Sequence, residues 1–549
     1  MTNLLDRALR WANQRPDDTA IIFIHYGQES SISYRDFFTR AAACANRLCD
    51  AGIAPGDLVV LVGEHSEAVL YNFWGALLLG AVPSIFPFLS DKLDPARYFA
   101  GVRELVARSG VRAVLASDPL AAALDGLDVL LLPLDSNPDS SAAFGAFPSP
   151  DADSTAFLQH SSGSTGLQKG VMLSHRAVLN QIDSYSRAIA LQPTDIIVSW
   201  LPLYHDMGLI AGFVLPLVAG VRLVLMSPFE WVRQPALLLH AIHRHRGTLC
   251  WLPNFAYNFL AQRVRENALD DLDLSSLRAV INCSEPVYAE SHRLFLERYR
   301  AYGLRETAMA TCYAMAENTF AVTQSRIGTP PRIDRVNRDA LLVGKHALPD
   351  QAGTLTFVSC GAPIPGCEVR VVDERGAPLS ERRVGEICVR SGSMLAGYYR
   401  QPDANTLING WYATGDLGYL ADGELYITGR KKDLIIVGGK NIYPQDIENL
   451  LNDIDGLHPG RAVAFGVPNP QTGTEDIAVA AEVETDDPDA RADIMRTVRG
   501  RVVQTLDVAV RYVHLVDSRW LIKTSSGKLA RAANRDKFIQ EVLTETVNR

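Results

Sequence analysis

The chain has 549 residues, 47% of them hydrophobic, which suffices for more than one domain and a large core. Lys and Arg total 53 against 62 Asp and Glu, a formal charge of −9 with no long basic run, which argues against nucleic acid as a main partner. The eight cysteines are scattered, and the closest pairs, Cys44/Cys49 and Cys360/Cys367, fit no common zinc spacing, so a reducing, cytoplasmic setting is expected.

The first 18 residues carry charges throughout and do not read as a signal peptide. From residue 34 the pattern alternates: helix 34–50 ending at Gly52, strand 58–62, helix 66–79 and a strand from Val82. Strands 111–115 and 129–132 then flank an alanine-rich helix. The most apolar segments are 68–89 and 207–226. The second contains Gly212, Pro216, Gly220 and Arg222 and breaks into a helix and a strand, so neither reads as a membrane span. Residues 135–154 form a Pro/Ser/Asp-rich connector.

Residues 158–171, LQHSSGSTGLQKGV, hold Ser161, Ser162, Ser164, Thr165, Gly163, Gly166, Gly170 and Lys169 within ten consecutive positions. Apolar residues enter and leave, so a loop between two strands is expected. Glycines let the backbone close around an anion, and hydroxyls, N–H groups and a lysine supply donors for phosphate oxygens. The usual nucleotide loop has a different spacing, because Lys169 follows Gly163 by six residues and precedes Gly170.

From 177 to 314 helices 177–190, 204–219, 234–246, 254–266 and 289–302 alternate with strands 195–200, 222–226, 248–252, 278–283 and 309–313. Such alternation predicts right-handed crossovers and parallel sheets, with ligands beyond the strands' carboxyl ends. Residues 321–353 are polar and irregular. Strands 354–359, 368–373, 385–390 and 424–428 then suggest a small, mostly β subdomain, and a compact α+β tail follows Arg430. The predicted fold is therefore α/β, with parallel sheets, a small, mostly β subdomain and a compact α+β tail.

Several clusters fall at predicted strand ends. Trp200-Leu-Pro-Leu-Tyr-His-Asp-Met-Gly208 places His205 and Asp206 there; Asn282-Cys-Ser-Glu-Pro286 ends another strand. Tyr313-Ala-Met-Ala-Glu317 offers an aromatic to stack on a base and a carboxylate to hold Mg²⁺. Asp416, in Trp411-Tyr-Ala-Thr-Gly-Asp416, suits ribose hydroxyls. Gly429-Arg-Lys-Lys-Asp433 sits at the composition break, and Lys523-Thr-Ser-Ser-Gly-Lys528 near the C-terminus. Singly, each has an ordinary structural reading: a core histidine, a turn aspartate, a solvated lysine.

Jointly, their order and spacing resemble the adenylate-forming superfamily of acyl-CoA synthetases, peptide-synthetase adenylation domains and luciferases, over about residues 10–540. The chain looks most like the fatty acyl-AMP ligases, through Ser199–Gly208, Pro253-Asn-Phe-Ala-Tyr257, Ala316-Glu317, 335–341, Val358-Ser-Cys-Gly361, Lys432-Asp-Leu-Ile-Ile436 and Asn441-Ile-Tyr-Pro-Gln-Asp-Ile-Glu448. The resemblance implies an ATP- and Mg²⁺-dependent ligase in which a carboxylate attacks the α-phosphorus, so that two anions meet and their charge must be neutralised. It assigns Lys528 to bridge carboxylate and α-phosphate, and Glu317 with Thr165 to Mg²⁺. Residues 161–170 would hold the β- and γ-phosphates. Tyr313, with Cys312, Ala314, Met315 and Ala316, would flank adenine opposite Ser284, Glu285 and Pro286, while Asp416 and Arg430 fix the ribose. His205 would gate the pocket, and Trp200, Met207, Phe213 and Trp251 would line an acyl tunnel. The resemblance also implies an N-terminal domain over 1–428, with two doubly wound parallel-sheet subdomains and a small β-barrel-like one, a hinge at 429–432 and a mobile α+β domain over 433–549; Lys432 occupies the hinge about which the tail turns in this superfamily, exchanging the lysine for the Gly438-Gly439 side. Departures are Ala314 and Cys283 where glycine is usual, and Ala316 where thioester-forming relatives carry threonine.

Glu317 and Asp373 lie 56 positions apart, roughly 20 more than in relatives that use coenzyme A, so 321–353 is read as an insertion. In acyl-AMP ligases such an insertion is thought to restrain the tail and disfavour coenzyme A. The expected acceptor is then the phosphopantetheine of a carrier protein in polyketide, lipopeptide or related synthesis. Asp273-Leu-Ser-Ser-Leu277 lacks the Asp-Ser-Leu attachment order, so the carrier is expected to be a separate partner. The alternative is an acyl- or aryl-CoA ligase of the same fold using free coenzyme A.

Overall fold

The computed structural model describes residues 3–89, 95–117, 124–126, 129–134, 147, 149–160, 170–353, 355–401, 407–437, 440–469, 474–524 and 527–543. The chain divides into two compact units. One comprises Met1–Pro331, Gly361–Glu368 and Arg390–Gly410; the other comprises Arg332–Cys360, Val369–Val389 and Trp411–Arg549.

The first unit is α/β with two sheets. The larger runs Ala362–Pro363, Ala321–Gln324, Met309–Ala314, Ala279–Asn282, Leu249–Leu252, Ile196–Ser199, Arg222–Met226, Thr19–His25, Gln28–Ser33. It is parallel from Met309–Ala314 to Thr19–His25 and antiparallel at both edges. The second runs Gly397–Tyr398, Gly170–Ser174, Thr155–His160, Val82–Phe86, Leu58–Val62, Ala113–Ala116, Leu130–Pro133, with a parallel block of five strands. The all-apolar Leu58–Val62, buried at every position, is what a parallel strand covered on both faces requires.

The two most apolar segments resolve as interior elements. Helix Glu67–Leu79 is buried at every residue from Val69 onward, the pattern of a helix enclosed on all sides. It packs against helix Tyr34–Asp50 so closely that a Cβ at Gly75 would stand 2.6 Å from Cys44 Cβ. Segment 207–226 breaks as expected, but its helix opens as a π-helix, Met207–Val214, before Leu215–Ala219 and strand Arg222–Met226. Glycine is required here: a Cβ at Gly208 would lie 2.1 Å from Pro202 O and one at Gly212 2.7 Å from Ser199 Oγ. No described helix is long and apolar enough to cross a membrane.

The second unit contains strand Trp411–Ala421, paired antiparallel with Glu424–Arg430 on one side and, at residues 385–389, with Gly385–Ser391 on the other. It also holds a three-stranded sheet, Leu457–Asn469, Thr474–Val483 and Val510–Val516, with helices Pro444–Leu450, Pro488–Leu506 and Arg531–Phe538. The segment expected to be irregular is ordered: Ile333–Val336 pairs with Leu355–Val358, and Asn337 caps helix Arg338–Leu342. Leu341, Leu342 and Ala347 join one apolar core with Ile442, Ile447, Val498 and Val502 of the tail. The compact unit thus takes in 332–360 with the tail, whereas the resemblance drew the boundary at a hinge over 429–432.

Candidate active site

In the first unit, neighbouring parallel strands deliver the candidate residues at their carboxyl ends. Leu252 stands in register with Asn282, and Asn282 with Thr311. Asn282, fully buried, donates from Nδ2 to Asn254 Oδ1 (3.0 Å) and meets His292 Nε2 at 3.0 Å. Asn254 donates to Ser291 Oγ at 3.1 Å and accepts from Tyr288 N at 3.2 Å. Burial lowers His292 to about 4, so it sits in this network as the neutral ring. Glu285 accepts Phe255 N at 3.0 Å, which joins the two loops again. Ser284 holds φ +70°, a left-handed conformation that costs a non-glycine residue on the order of 1–3 kcal/mol. Its hydroxyl lies 3.9 Å from Met207 Sδ, so one expected adenine-side residue and one expected acyl-side residue do meet. Pro286 is exposed.

Strand Met309–Ala314 carries Cys312 buried, with its thiol 3.6 Å from Tyr313 O, and Tyr313 buried; Ala314, Met315 and Ala316 are half-buried. The turn Ala316–Asn318 that follows is anchored on every side. Asn318 donates to Ala321 O (2.7 Å) and accepts from Ser391 Oγ (2.5 Å). Thr319, buried at φ +62°, donates to Ser393 O at 2.8 Å. Tyr398 Oη donates to Glu317 Oε1 at 2.9 Å, leaving Oε2 without a hydrogen bond among the described residues. Among those residues no cluster of three His, Cys, Asp or Glu side chains could enclose a metal. A single anchored carboxylate with one oxygen to offer suits Mg²⁺, which takes one or two carboxylates and fills its remaining positions with phosphate and water oxygens.

His205 is half-buried, its ring 4.7 Å from that of Tyr204. Asp206 accepts Met207 N at 2.8 Å and so caps the helix that follows. Of the expected acyl liners, Trp200 stacks on Trp231 at 3.6 Å beside Phe255. Trp251 donates to Tyr185 Oη at 2.7 Å, which in turn donates to Gln324 Oε1 at 2.9 Å. Phe213 packs with Phe37 and Phe73 in the core of the unit.

In the second unit, Asp416 and Arg430 are in register across paired strands and form an ion pair at 3.2 Å. The turn before Asp416 is built by Gly415 at φ +74° and by Thr414, whose hydroxyl accepts Asp416 N and donates to Ile387 O. Burial, with Arg430 nearby, lowers the pKa of Lys432 against the pull of Asp433 and Asp416. Lys528 is half-buried in a hairpin whose limbs are bridged by Lys523 and Leu529. Arg531, three residues on, donates to Asp433 Oδ2 at 2.9 Å and to both Glu448 oxygens at 2.7 and 2.8 Å. Burial works against its charge, but Glu448 and Asp433 outweigh that and raise the guanidinium pKa.

Ser161, Ser162, Gly163, Ser164, Thr165, Gly166 and Lys169 lie outside the described residues, as do Gly438 and Gly439. The expected flanks of the first stretch are present as an antiparallel pair with His160 opposite Gly170. The residue reading missed Tyr398, the Asn254–His292 network and Arg531. Asn254 stood within the motif Pro253-Asn-Phe-Ala-Tyr257 without a role, and Arg531 left a signal as a charge set among apolar neighbours Leu529, Ala530 and Ala532.

Residues 9–399 match the family of AMP-binding enzymes. Over 568 residues the chain is 32% identical to a long-chain-fatty-acid–AMP ligase, FadD26, of Mycobacterium bovis, covering 96% of this chain and 95% of that one. It is 34% identical over 426 residues to a medium-chain-fatty-acid–[acyl-carrier-protein] ligase, JamA, of Moorena producens, covering 72% and 70%. A solved structure from studies of fatty acyl-adenylate ligases of E. coli and L. pneumophila superposes with a TM-score of 0.91 at 31% identity, covering 99% of this chain and 98% of that one. Fold and family match together define an ATP-dependent, adenylate-forming ligase. Within that class, the chain belongs to the AMP-binding enzyme family and groups with its fatty acyl-AMP ligases.

Proposed function

We propose that the chain activates a medium- to long-chain fatty acid with ATP and passes the acyl group to the phosphopantetheine thiol of a separate carrier protein. A carboxylate oxygen attacks the α-phosphorus, the bond to the β-phosphate oxygen breaks, and pyrophosphate leaves. Lys528 supplies the cation that two meeting anions require, and Tyr313 with Ser284–Pro286 holds the base. Asp416, set by Arg430, accepts from ribose hydroxyls, and His205 gates the carboxylate's approach. Glu317, aimed by Tyr398, would hold Mg²⁺, which neutralises phosphate charge when bound. The carrier thiol then attacks the carbonyl carbon of the mixed anhydride, AMP leaves with the bonding pair, and the thiol proton passes to solvent.

One observation carries the choice of acceptor. The 332–353 segment shares its core with the tail, and Arg338 donates to Thr505 O at 2.9 Å while Asn441 donates to Leu342 O at 3.2 Å. That packing supports restraint of the tail, and the names of FadD26 and JamA support a fatty acid and a carrier. The test is ATP–pyrophosphate exchange over a panel of acids from short to long, with benzoate-type controls, followed by transfer to holo-carrier or coenzyme A. Fatty-acid-dependent exchange that collapses in Lys528→Ala, with acyl-carrier as product, is the expected result. Efficient acyl-CoA formation with none on the carrier would replace this reading with the coenzyme A ligase.

A further inference from the structure

Lys528 stands on a short hairpin that must present one amine accurately, and the side chains of Asn534 and Arg531 are among those that hold it. Asn534, fully buried, accepts Ile522 N at 2.8 Å and donates to Ile522 O (2.8 Å) and Ala530 O (2.9 Å), closing the base of the loop on itself. Arg531 does something different, because its partners are remote in sequence. Its Nε donates to Ala464 O at 2.9 Å and its two terminal nitrogens divide between Asp433 and Glu448. Glu448 in turn accepts Ala464 N at 2.9 Å, so strand Leu457–Asn469, helix Pro444–Leu450 and the loop's exit are locked together. Asp433 directly follows Lys432. All three charged groups are screened from solvent, with side-chain exposures of 17–19%.

We infer that Arg531 is a positioning residue for adenylate formation: it fixes the Lys528 hairpin to Asp433, so that the lysine and the residue closing the hinge segment move as one rigid piece. A lysine could not take its place, since a point-like ammonium does not span two carboxylates and a carbonyl in one plane. The pairing holds Asp433 to the tail, directly after the hinge that the resemblance implies over 429–432. This rests on the role proposed for Lys528.

The experiment compares Arg531→Lys, Asp433→Asn and the double variant with wild type in two half-reactions. These are fatty-acid-dependent pyrophosphate exchange and transfer from chemically prepared acyl-adenylate to holo-carrier. Displacing a catalytic group by about 1 Å costs on the order of 100-fold, so the exchange kcat should fall by about that factor with KM for ATP little changed. Transfer should change by less than about threefold, and the double variant should be no worse than the worse single one, as for residues acting through one contact. Hydrogen exchange of amides 522–530 should quicken in Asp433→Asn, a readout independent of activity. Equal loss in both half-reactions, additive effects, or unchanged exchange at 522–530 would overturn the inference. A wild type without acid-dependent exchange would instead overturn the proposed function, leaving the amide measurement to decide the coupling.

Discussion

Two side chains define what single residues contribute. Asp446 sits in the first turn of helix Pro444–Leu450, its Oδ2 shielded from solvent and without a hydrogen bond. Burial, with Glu448 beside it, pushes its carboxyl up to about 7. Because this pKa is raised above that of the unfolded chain, the folded state holds a proton that the unfolded state has released between roughly pH 4 and pH 7. Stability should therefore fall as pH rises through that window and level off above it. Asp446→Asn should melt with the wild type near pH 4 and above it near pH 8; equal melting temperatures at both pH values would show that the shift is absent. Tyr398 is the counterpart beside Glu317, the carboxylate proposed for Mg²⁺. Tyr398→Phe removes a hydrogen bond to a carboxylate, worth about 1.5–3 kcal/mol. It should raise the Mg²⁺ concentration for half-maximal exchange by roughly tenfold or more, with a loss of folding stability no larger than that bond's contribution.

At the scale of elements, the strand-end loops are rigid because buried amides tie them together. Asn254→Leu leaves Asn282 Nδ2 and Tyr288 N without their shared acceptor, and should cost about 1–3 kcal/mol in denaturant melts. The period of apolar residues made the βα units of the larger sheet legible, since buried parallel strands such as Leu249–Leu252 and Ala279–Asn282 read as unbroken apolar runs. Among the elements that were not read from the sequence, three escaped that signal for separate reasons. Gln28–Ser33 is a polar edge strand exposed at four of six positions. Trp411–Ala421 contains Gly415 and Gly418 and bulges between Leu417 and Gly418, so its Thr-Gly-Asp reads as a turn. Helix Arg338–Leu342 is five residues long, too short to show a period. The proposed ionisable site residues were read as residue types in a fixed order; the anchoring roles of Tyr398, Asn254 and Arg531 were not legible, because each acts through a partner 28–98 positions away.

For the whole chain, the consequence of the compact units is that 332–360 stands or falls with the tail rather than with residues near it in sequence. Leu342 illustrates this: it is 3% exposed, in a core that it shares with Ile442, Ile447, Val498 and Val502 among others, and its carbonyl accepts Asn441 Nδ2. Truncating a buried leucine costs about 2–5 kcal/mol, part of it for the cavity left behind. Leu342→Ala should thus accelerate hydrogen exchange in helices Pro444–Leu450 and Pro488–Leu506, some hundred or more positions on, and leave helix Glu67–Leu79 of the first unit unchanged. If the insertion's grip on the tail also decides the acceptor, the same variant should gain acyl-CoA formation relative to acyl-carrier, with pyrophosphate exchange retained. Slower transfer to both thiols in equal proportion would mean that the segment stabilises the tail without choosing what it serves.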